Sequence, residues 1–202
     1  MSIEKEFNKL ASDFIRTNDL NSFVLNQYNL TLNEVKQLEE WTKLKCGEVL
    51  FDSNKDNWEK STSVLNEKII GKSKLMFLIE KDNKDLIGYY LNTQVVEKYE
   101  KTIPTDSKTF HFSLRSNGRV PDPIKYEIKD VMKGGIGLEY NNDCYLVSIG
   151  YIRLKKYHVK HFSFVYNSTP SFFDYHGYEN PLTSNYYHHF TPKRIIVIQM
   201  NE

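Results

Sequence analysis

The sequence is poor in cysteine and has no excess of either charge. Its two cysteines, Cys46 and Cys144, lack the Cys-x-x-Cys spacing of a zinc site and are too few for a disulfide framework. We expect both to be reduced and at least half-buried thiols. With 27 basic and 26 acidic residues, the net charge is +1. Non-specific polyanion binders usually carry a strong basic excess, so the balance gives no support to such a function.

Long apolar runs are also missing. No stretch approaches the ~18 consecutive apolar residues of a membrane-spanning helix. The N-terminal residues 1–6 include three charges and no apolar run follows them, unlike a signal peptide. We therefore expect a soluble, cytoplasmic protein without a membrane span. The length of 202 residues suits one domain, or one domain with a helical appendage.

Helical patterns occupy the N-terminal part of the chain. Apolar residues recur there at spacings of three, four and seven, as in Ile3, Phe7, Leu10, Ala11, Phe14 and Ile15. Thr31 and Glu34 have the spacing of a capping box, which predicts a second helix from that point. We predict an N-terminal helical segment over residues 1–45 that packs on, or extends, a domain covering residues 46–202.

From Gly47 onward, short apolar blocks alternate with polar turns. Blocks 74–81 and 86–92 flank the turn 82–85 and predict a hairpin. In 110–115 the apolar residues alternate with polar ones, which predicts a strand with one buried face. Residues 145–154 are predicted to form one further strand. Early helices followed by closely spaced strands predict an α+β fold, a mostly antiparallel β-sandwich flanked by helices.

No group of potentially reactive side chains has the spacing of a known site. His158 and His161 would point to opposite faces of a strand, and the adjacent pair 188–189 would also diverge. His176 follows Asp174, whose carboxylate could orient the imidazole. We expect no enzyme activity, no cofactor and no metal. A metal-assisted hydrolase around His176 is kept as an alternative.

Residues 151–166 combine basic and aromatic side chains: Arg153, Lys155, Lys156 and Lys160 with Tyr157, Phe162 and Phe164. Such a segment can hold single-stranded nucleic acid by stacking bases on its rings. Lysines that protect a sheet edge from aggregation give the same pattern. We do not expect nucleic acid as the partner. A nucleic-acid-binding regulator that uses the Arg153–Lys160 segment is kept as a second alternative.

The order of the blocks over residues 47–202 resembles that of a TLDc domain. The matching blocks are Leu50-Phe51-Asp52-Ser53, Asp56-Asn57-Trp58, Leu75 to Ile79, Ile87-Gly88-Tyr89-Tyr90, Phe110 to Leu114, Gly134 to Leu138, and Asn180-Pro181-Leu182 before Phe190. Two features depart from the family pattern. The last strand lacks the usual Glu followed by an aromatic residue, and the Ser-Arg-Asp turn is degenerate. The resemblance is therefore to a divergent member.

The resemblance implies a β-sandwich without an established active site. It also implies a non-catalytic protein-binding module linked to the oxidative stress response and to interaction with the vacuolar proton-pumping ATPase (V-ATPase). Loop 175–181 is both aromatic and polar, a composition that interfaces favour, although its tyrosines would serve equally well to pack the loop. The candidate interaction residues are Trp58, Tyr175, His176, Tyr178, Glu179 and Asn180.

Overall fold

The computed structural model describes residues 27–56, 58, 63–97, 101–140, 144–156, 162–179, 181–183 and 188–202. The chain divides into two units, residues 1–44 and residues 45–202. The predicted apolar stripe over residues 3–15 lies outside the described residues, as do His158, Lys160, His161 and Asn180.

The first unit contains helix α1 (Leu32–Thr42). The predicted capping box is confirmed. The Thr31 hydroxyl accepts from the Glu34 amide at 3.3 Å, and the Glu34 carboxylate accepts from the Thr31 amide at 2.7 Å. These bonds satisfy two amides that the first helical turn leaves without partners. The helix ends at Thr42, and Lys43 caps it with a left-handed φ of 59°.

The second unit contains one short helix, α2 (Ser63–Ile69), and eleven strands within the described residues. The strands are β1 (Lys45–Asp52), β2 (Leu75–Lys81), β3 (Leu86–Leu91), β4 (Phe110–Arg115), β5 (Ile124–Glu127), β6 (Ile136–Leu138), β7 (Tyr145–Ile149), β8 (Ile152–Lys155), β9 (Ser163–Val165), β10 (His189–Phe190) and β11 (Pro192–Asn201). A 3-10 turn spans Thr169–Ser171.

The strands form two antiparallel sheets. One has the order β1-β11-β2-β3-β4-β5, and the other has the order β10-β9-β8-β7-β6. The fold is therefore α+β and sandwich-like, as predicted. The predicted hairpin is confirmed as β2 and β3, which pair from Leu75 opposite Leu91 to Glu80 opposite Leu86.

Two local predictions are wrong. Residues 145–154 form two strands, because Gly150 and Tyr151 both have positive φ and turn the chain by a two-residue loop. Strand β4 is buried on both faces, since His111 and Ser113 are as inaccessible as Phe112. The alternating pattern shows which side chains of β4 are polar. Whether those side chains are buried depends on what packs over each face of the strand. The Ser113 hydroxyl is satisfied internally by the Asp122 carboxylate at 2.9 Å.

The apolar core joins both sheets. Residues of β2, β3 and β11 share one buried cluster with residues of β7 and β8. At the end of this core, Phe173 is fully buried and belongs to no strand. It forms an isolated bridge with Ile128, just beyond β5. The chain that follows Phe173 carries most of the predicted interaction residues.

Candidate functional site

The strap, defined as residues 172–179 and 181–183, runs with its first residues beside β5, the last strand of the six-stranded sheet. The Asp174 amide donates to the Glu127 carbonyl at 2.8 Å, and the Lys129 amide donates to the Phe172 carbonyl at 2.7 Å. The strap thus follows the side of β5 that faces away from β4. Asn180, between the two parts of the strap, lies outside the described residues.

The tip of the strap, residues 175–179, is a tight turn. The Tyr178 amide donates to the Tyr175 carbonyl at 2.9 Å, while His176 and Gly177 have φ of 51° and 82°. Two successive left-handed residues give a type I′ turn, and glycine adopts this conformation without strain. His176 and Glu179 are exposed, and Tyr178 is half-buried.

The first half of the strap is held by the aromatic anchor, formed by His111, Tyr126, Phe173 and Tyr175. Phe173 stacks on the imidazole of His111 with centroids 3.8 Å apart and planes 15° apart. The Tyr175 hydroxyl lies 3.2 Å from His111 Nδ1. Tyr126 meets the Tyr175 ring edge to face at 5.1 Å. The arrangement packs four rings around one hydrogen bond.

Burial keeps this anchor uncharged. It lowers the pKa of His111 to about 3. A hydrogen bond with the Gly150 backbone acts in the opposite direction but is the weaker effect. Burial also raises the pKa of Tyr175 well above its ordinary value. The imidazole and the phenol are therefore both neutral near pH 7. Nε2 of His111 faces the backbone of Gly150, and a Cβ at residue 150 would collide with that nitrogen.

The second half of the strap lies against the ionic anchor, formed by Lys81, Asp85, Asn117 and Arg119. One carboxylate oxygen of Asp85 is 2.6 Å from the Lys81 ammonium and 2.7 Å from the Arg119 guanidinium. The other oxygen accepts from the side-chain Nδ2 of Asn117 at 2.6 Å. Lys81 and Asp85 are almost completely inaccessible. A buried carboxylate is tolerated when it is paired and hydrogen-bonded in this way.

The two cations of the ionic anchor also bind the strap. The Lys81 ammonium donates to the Leu182 carbonyl at 3.2 Å, and Arg119 donates to the Pro181 carbonyl at 3.1 Å. Burial would raise the pKa of Asp85, but bonds from both cations outweigh it and hold that pKa below the ordinary value. Burial lowers the pKa of Lys81, although the Asp85 carboxylate acts to raise it. The strap is thus tied down on both sides of its tip.

The structure corrects the surface position predicted for Trp58. Its side chain is only 6% exposed, and its indole Nε1 donates to the Ser53 carbonyl at 3.0 Å. Tyr175 is likewise buried, and so it packs the strap instead of presenting its ring. Of the predicted interaction residues within the described chain, His176, Tyr178 and Glu179 remain accessible at the tip.

The surroundings of His176 bear on the hydrolase alternative. Its Nε2 lies 3.0 Å from the Lys125 carbonyl, a contact in which the nitrogen must donate. Glu127 and Asp174 approach its two nitrogens at 3.7 Å each. Among the described residues, no three His, Cys, Asp or Glu side chains are placed to hold a metal ion. The geometry observed for His176 is that of a side chain which ties the tip to β5.

The basic segment considered for nucleic acid is divided by the fold. Arg153 binds both oxygens of Glu139 at 3.0 and 3.1 Å and stacks over Tyr145 at 4.1 Å. Lys156 is buried, and Lys160 lies outside the described residues. Arg153 is therefore occupied by Glu139 and Lys156 is inaccessible, so neither of these two predicted cations is placed to contact a phosphate backbone.

A pocket of about 280 Å³ lies between the β2–β3 turn and β10, and Lys81 of the ionic anchor forms part of its wall. Asp82, Phe162, His189 and Phe190 contribute to its walls. Phe162 stacks on His189 at 5.3 Å. Cys46 and Cys144 are both half-buried, as expected.

Comparison with known proteins does not identify the chain. No family model matches it, and no curated protein matches it either. The TLDc resemblance therefore stays a prediction that depends on the order of the sequence blocks. Among the described residues, no helix is long and apolar enough to cross a membrane.

The sequence did not single out the residues that hold the strap. His111 has the position of a solvent-facing residue in an alternating strand, and Asp85 and Arg119 have those of ordinary turn residues. One signal was present in Lys81, which ends an apolar strand directly before a turn. A cation there needs either solvent or a buried partner, and Asp85 follows it by four residues.

Proposed function

We propose that this protein is a non-catalytic protein-interaction module of the TLDc kind, which acts in the cytoplasm through the tip of the strap. The observation that carries the proposal is the tip itself, where His176, Tyr178 and Glu179 are accessible on a turn held on both sides. A loop ordered before binding loses less conformational entropy when a partner docks. Tyrosine is also enriched at protein interfaces.

The expected partner follows from the resemblance. Domains of this family are linked to the V-ATPase and to protection against oxidative stress, and we propose subunits of that pump as the partner. The antiparallel, sandwich-like fold supports this assignment, because it is the architecture that the resemblance implies. The ties of His176 to β5 support a role in presenting the tip rather than in chemistry.

Affinity capture of the tagged protein from a lysate of its own cells, with and without peroxide, tests the proposal. Mass spectrometry should show enrichment of pump subunits with the unaltered protein. A double variant, Tyr178→Ala with Glu179→Ala, should lose them. Tyr140→Ala is the matched control, because Tyr140 is 41% exposed and lies outside the strap. Circular dichroism should show that all three proteins are folded.

The outcomes separate the parts of the proposal. Capture without pump subunits would overturn the assigned partner. Equal capture by the tip variant and the unaltered protein would overturn the assigned surface. Enrichment that changes with peroxide would support the link to oxidative stress, and enrichment that does not change would count against it.

A further inference from the structure

We propose that the strap opens as a unit while both sheets stay folded, and that its opening uncovers the free edge of β5. This inference goes beyond the proposed function, because it concerns the protein alone and needs no partner. It is based on how the strap is bonded and on which buried groups lie beneath it.

The strap is bound to β5 by few main-chain hydrogen bonds. After the bonds at Phe172 and Asp174, the next carbonyl of β5 accepts from a side chain, since His176 Nε2 lies 3.0 Å from the Lys125 carbonyl. Beyond the tip, the strap's carbonyls accept from the side chains of Lys81 and Arg119. Side chains can release these carbonyls without disturbing the pairing of any strand.

Buried polar atoms without hydrogen-bond partners collect around the strap. Within the described part of the chain, Tyr126 Oη, Arg119 Nε and Thr183 Oγ1 are inaccessible and have no hydrogen-bond partner. Thr183 belongs to the strap, and each of the other two residues contacts it. A buried polar group without a partner destabilises the state that buries it. When the strap opens, these groups can form hydrogen bonds with water. That gain offsets part of the free energy lost with the packing contacts.

Opening has a structural consequence for the sheet. The carbonyls of Lys125 and Glu127 and the amide of Lys129 would lose their present partners. Unpaired groups along a sheet edge can bond to an extended segment of another chain. The closed strap therefore masks an edge, and the opening equilibrium sets how often that edge is accessible.

Hydrogen exchange of the purified full chain, followed by mass spectrometry, tests the inference. Peptides from residues 172–183 should exchange together, about a hundredfold faster than the central strands β2 and β3, as expected for a sub-global opening. Tyr126→Phe removes an unpaired hydroxyl and should slow strap exchange about fivefold. Tyr175→Phe removes a paired hydroxyl and should speed it about fivefold.

Tyr90→Phe is the control, because the Tyr90 hydroxyl is bonded to Asn92 at 2.9 Å, away from the strap. It should leave strap exchange unchanged. Strap exchange at the rate of β2 and β3 would overturn the inference, since the strap would then open only by global unfolding. Unchanged or faster exchange in Tyr126→Phe would also overturn it, because that hydroxyl would then be satisfied in the closed state. Neither result depends on a binding partner, so the proposed function is tested separately.

Discussion

The two anchors hold one segment of chain by opposite means. The aromatic anchor is neutral, and the imidazole of His111 is held by ring packing and one hydrogen bond. The ionic anchor contains two cations and one carboxylate, with Asp85 at its centre. The stability of the folded protein falls gradually as atoms are removed from packed side chains. It falls sharply when one partner of a buried ion pair is removed. The comparison thus predicts different responses to substitution and to pH.

The largest effect is expected in the ionic anchor. Asp85→Ala leaves the Lys81 and Arg119 cations without their shared carboxylate, and breaking a buried pair in this way costs about 3–5 kcal/mol. Asp82→Ala is the control, since Asp82 is exposed in the same turn. Urea unfolding of both variants measures the difference. Equal stabilities would show that the ionic anchor contributes nothing.

The next effect distinguishes the anchors by pH. His111 has a pKa of about 3 when folded and an ordinary value of 6.5 when unfolded. Between these values the unfolded chain binds more protons, so stability is lost as the pH falls. From pH 7 to pH 5, His111 should account for a loss of about 2 kcal/mol in the free energy of unfolding.

Unfolding curves at several pH values should show this loss and should show much less of it in His111→Phe. An unchanged pH dependence in that variant would contradict the neutral state assigned to the aromatic anchor. The lowered pKa of Asp85 acts only below its ordinary value of 3.8. The Asp85 carboxylate therefore contributes little to the loss between pH 7 and pH 5.

A smaller effect is expected within the aromatic anchor. Tyr175→Phe keeps the ring contacts with Tyr126 but removes the hydrogen bond to His111. The loss should be about 1 kcal/mol, the usual net value of such a bond. Thermal unfolding measures it. A loss as large as that of Asp85→Ala would erase the predicted contrast between packing and charge.

The smallest effect is expected at the tip between the anchors. His176→Ala removes the contact with the Lys125 carbonyl and two longer approaches to carboxylates. Because this side chain is exposed, stability should fall by no more than about 0.5 kcal/mol. Chemical unfolding provides the measurement. A larger loss would show that the tip is itself an anchor.

Much of the fold was predictable because its signals are local. Thr31 and Glu34 specify a helix start within one turn of chain, and the block pattern on either side of residues 82–85 specifies the β2–β3 hairpin. The division of residues 145–154 was missed because Tyr151 is an unusual residue for a positive φ, so Gly150 was the only turn signal. The exposed tip was predicted from composition, whereas its two anchors were not.

The sequence by itself determined the class of the fold, the capped helix, the central hairpin and the polar aromatic loop. Each depends on residues close together in the chain, whose spacing carries the information. Only the tertiary structure decided that His111 is buried under Tyr175, 64 residues away, and that Lys81 binds the carbonyl of Leu182, 101 residues away. A polar residue in an alternating strand is expected to face water until another segment covers it. That covering is a long-range event which no local pattern encodes.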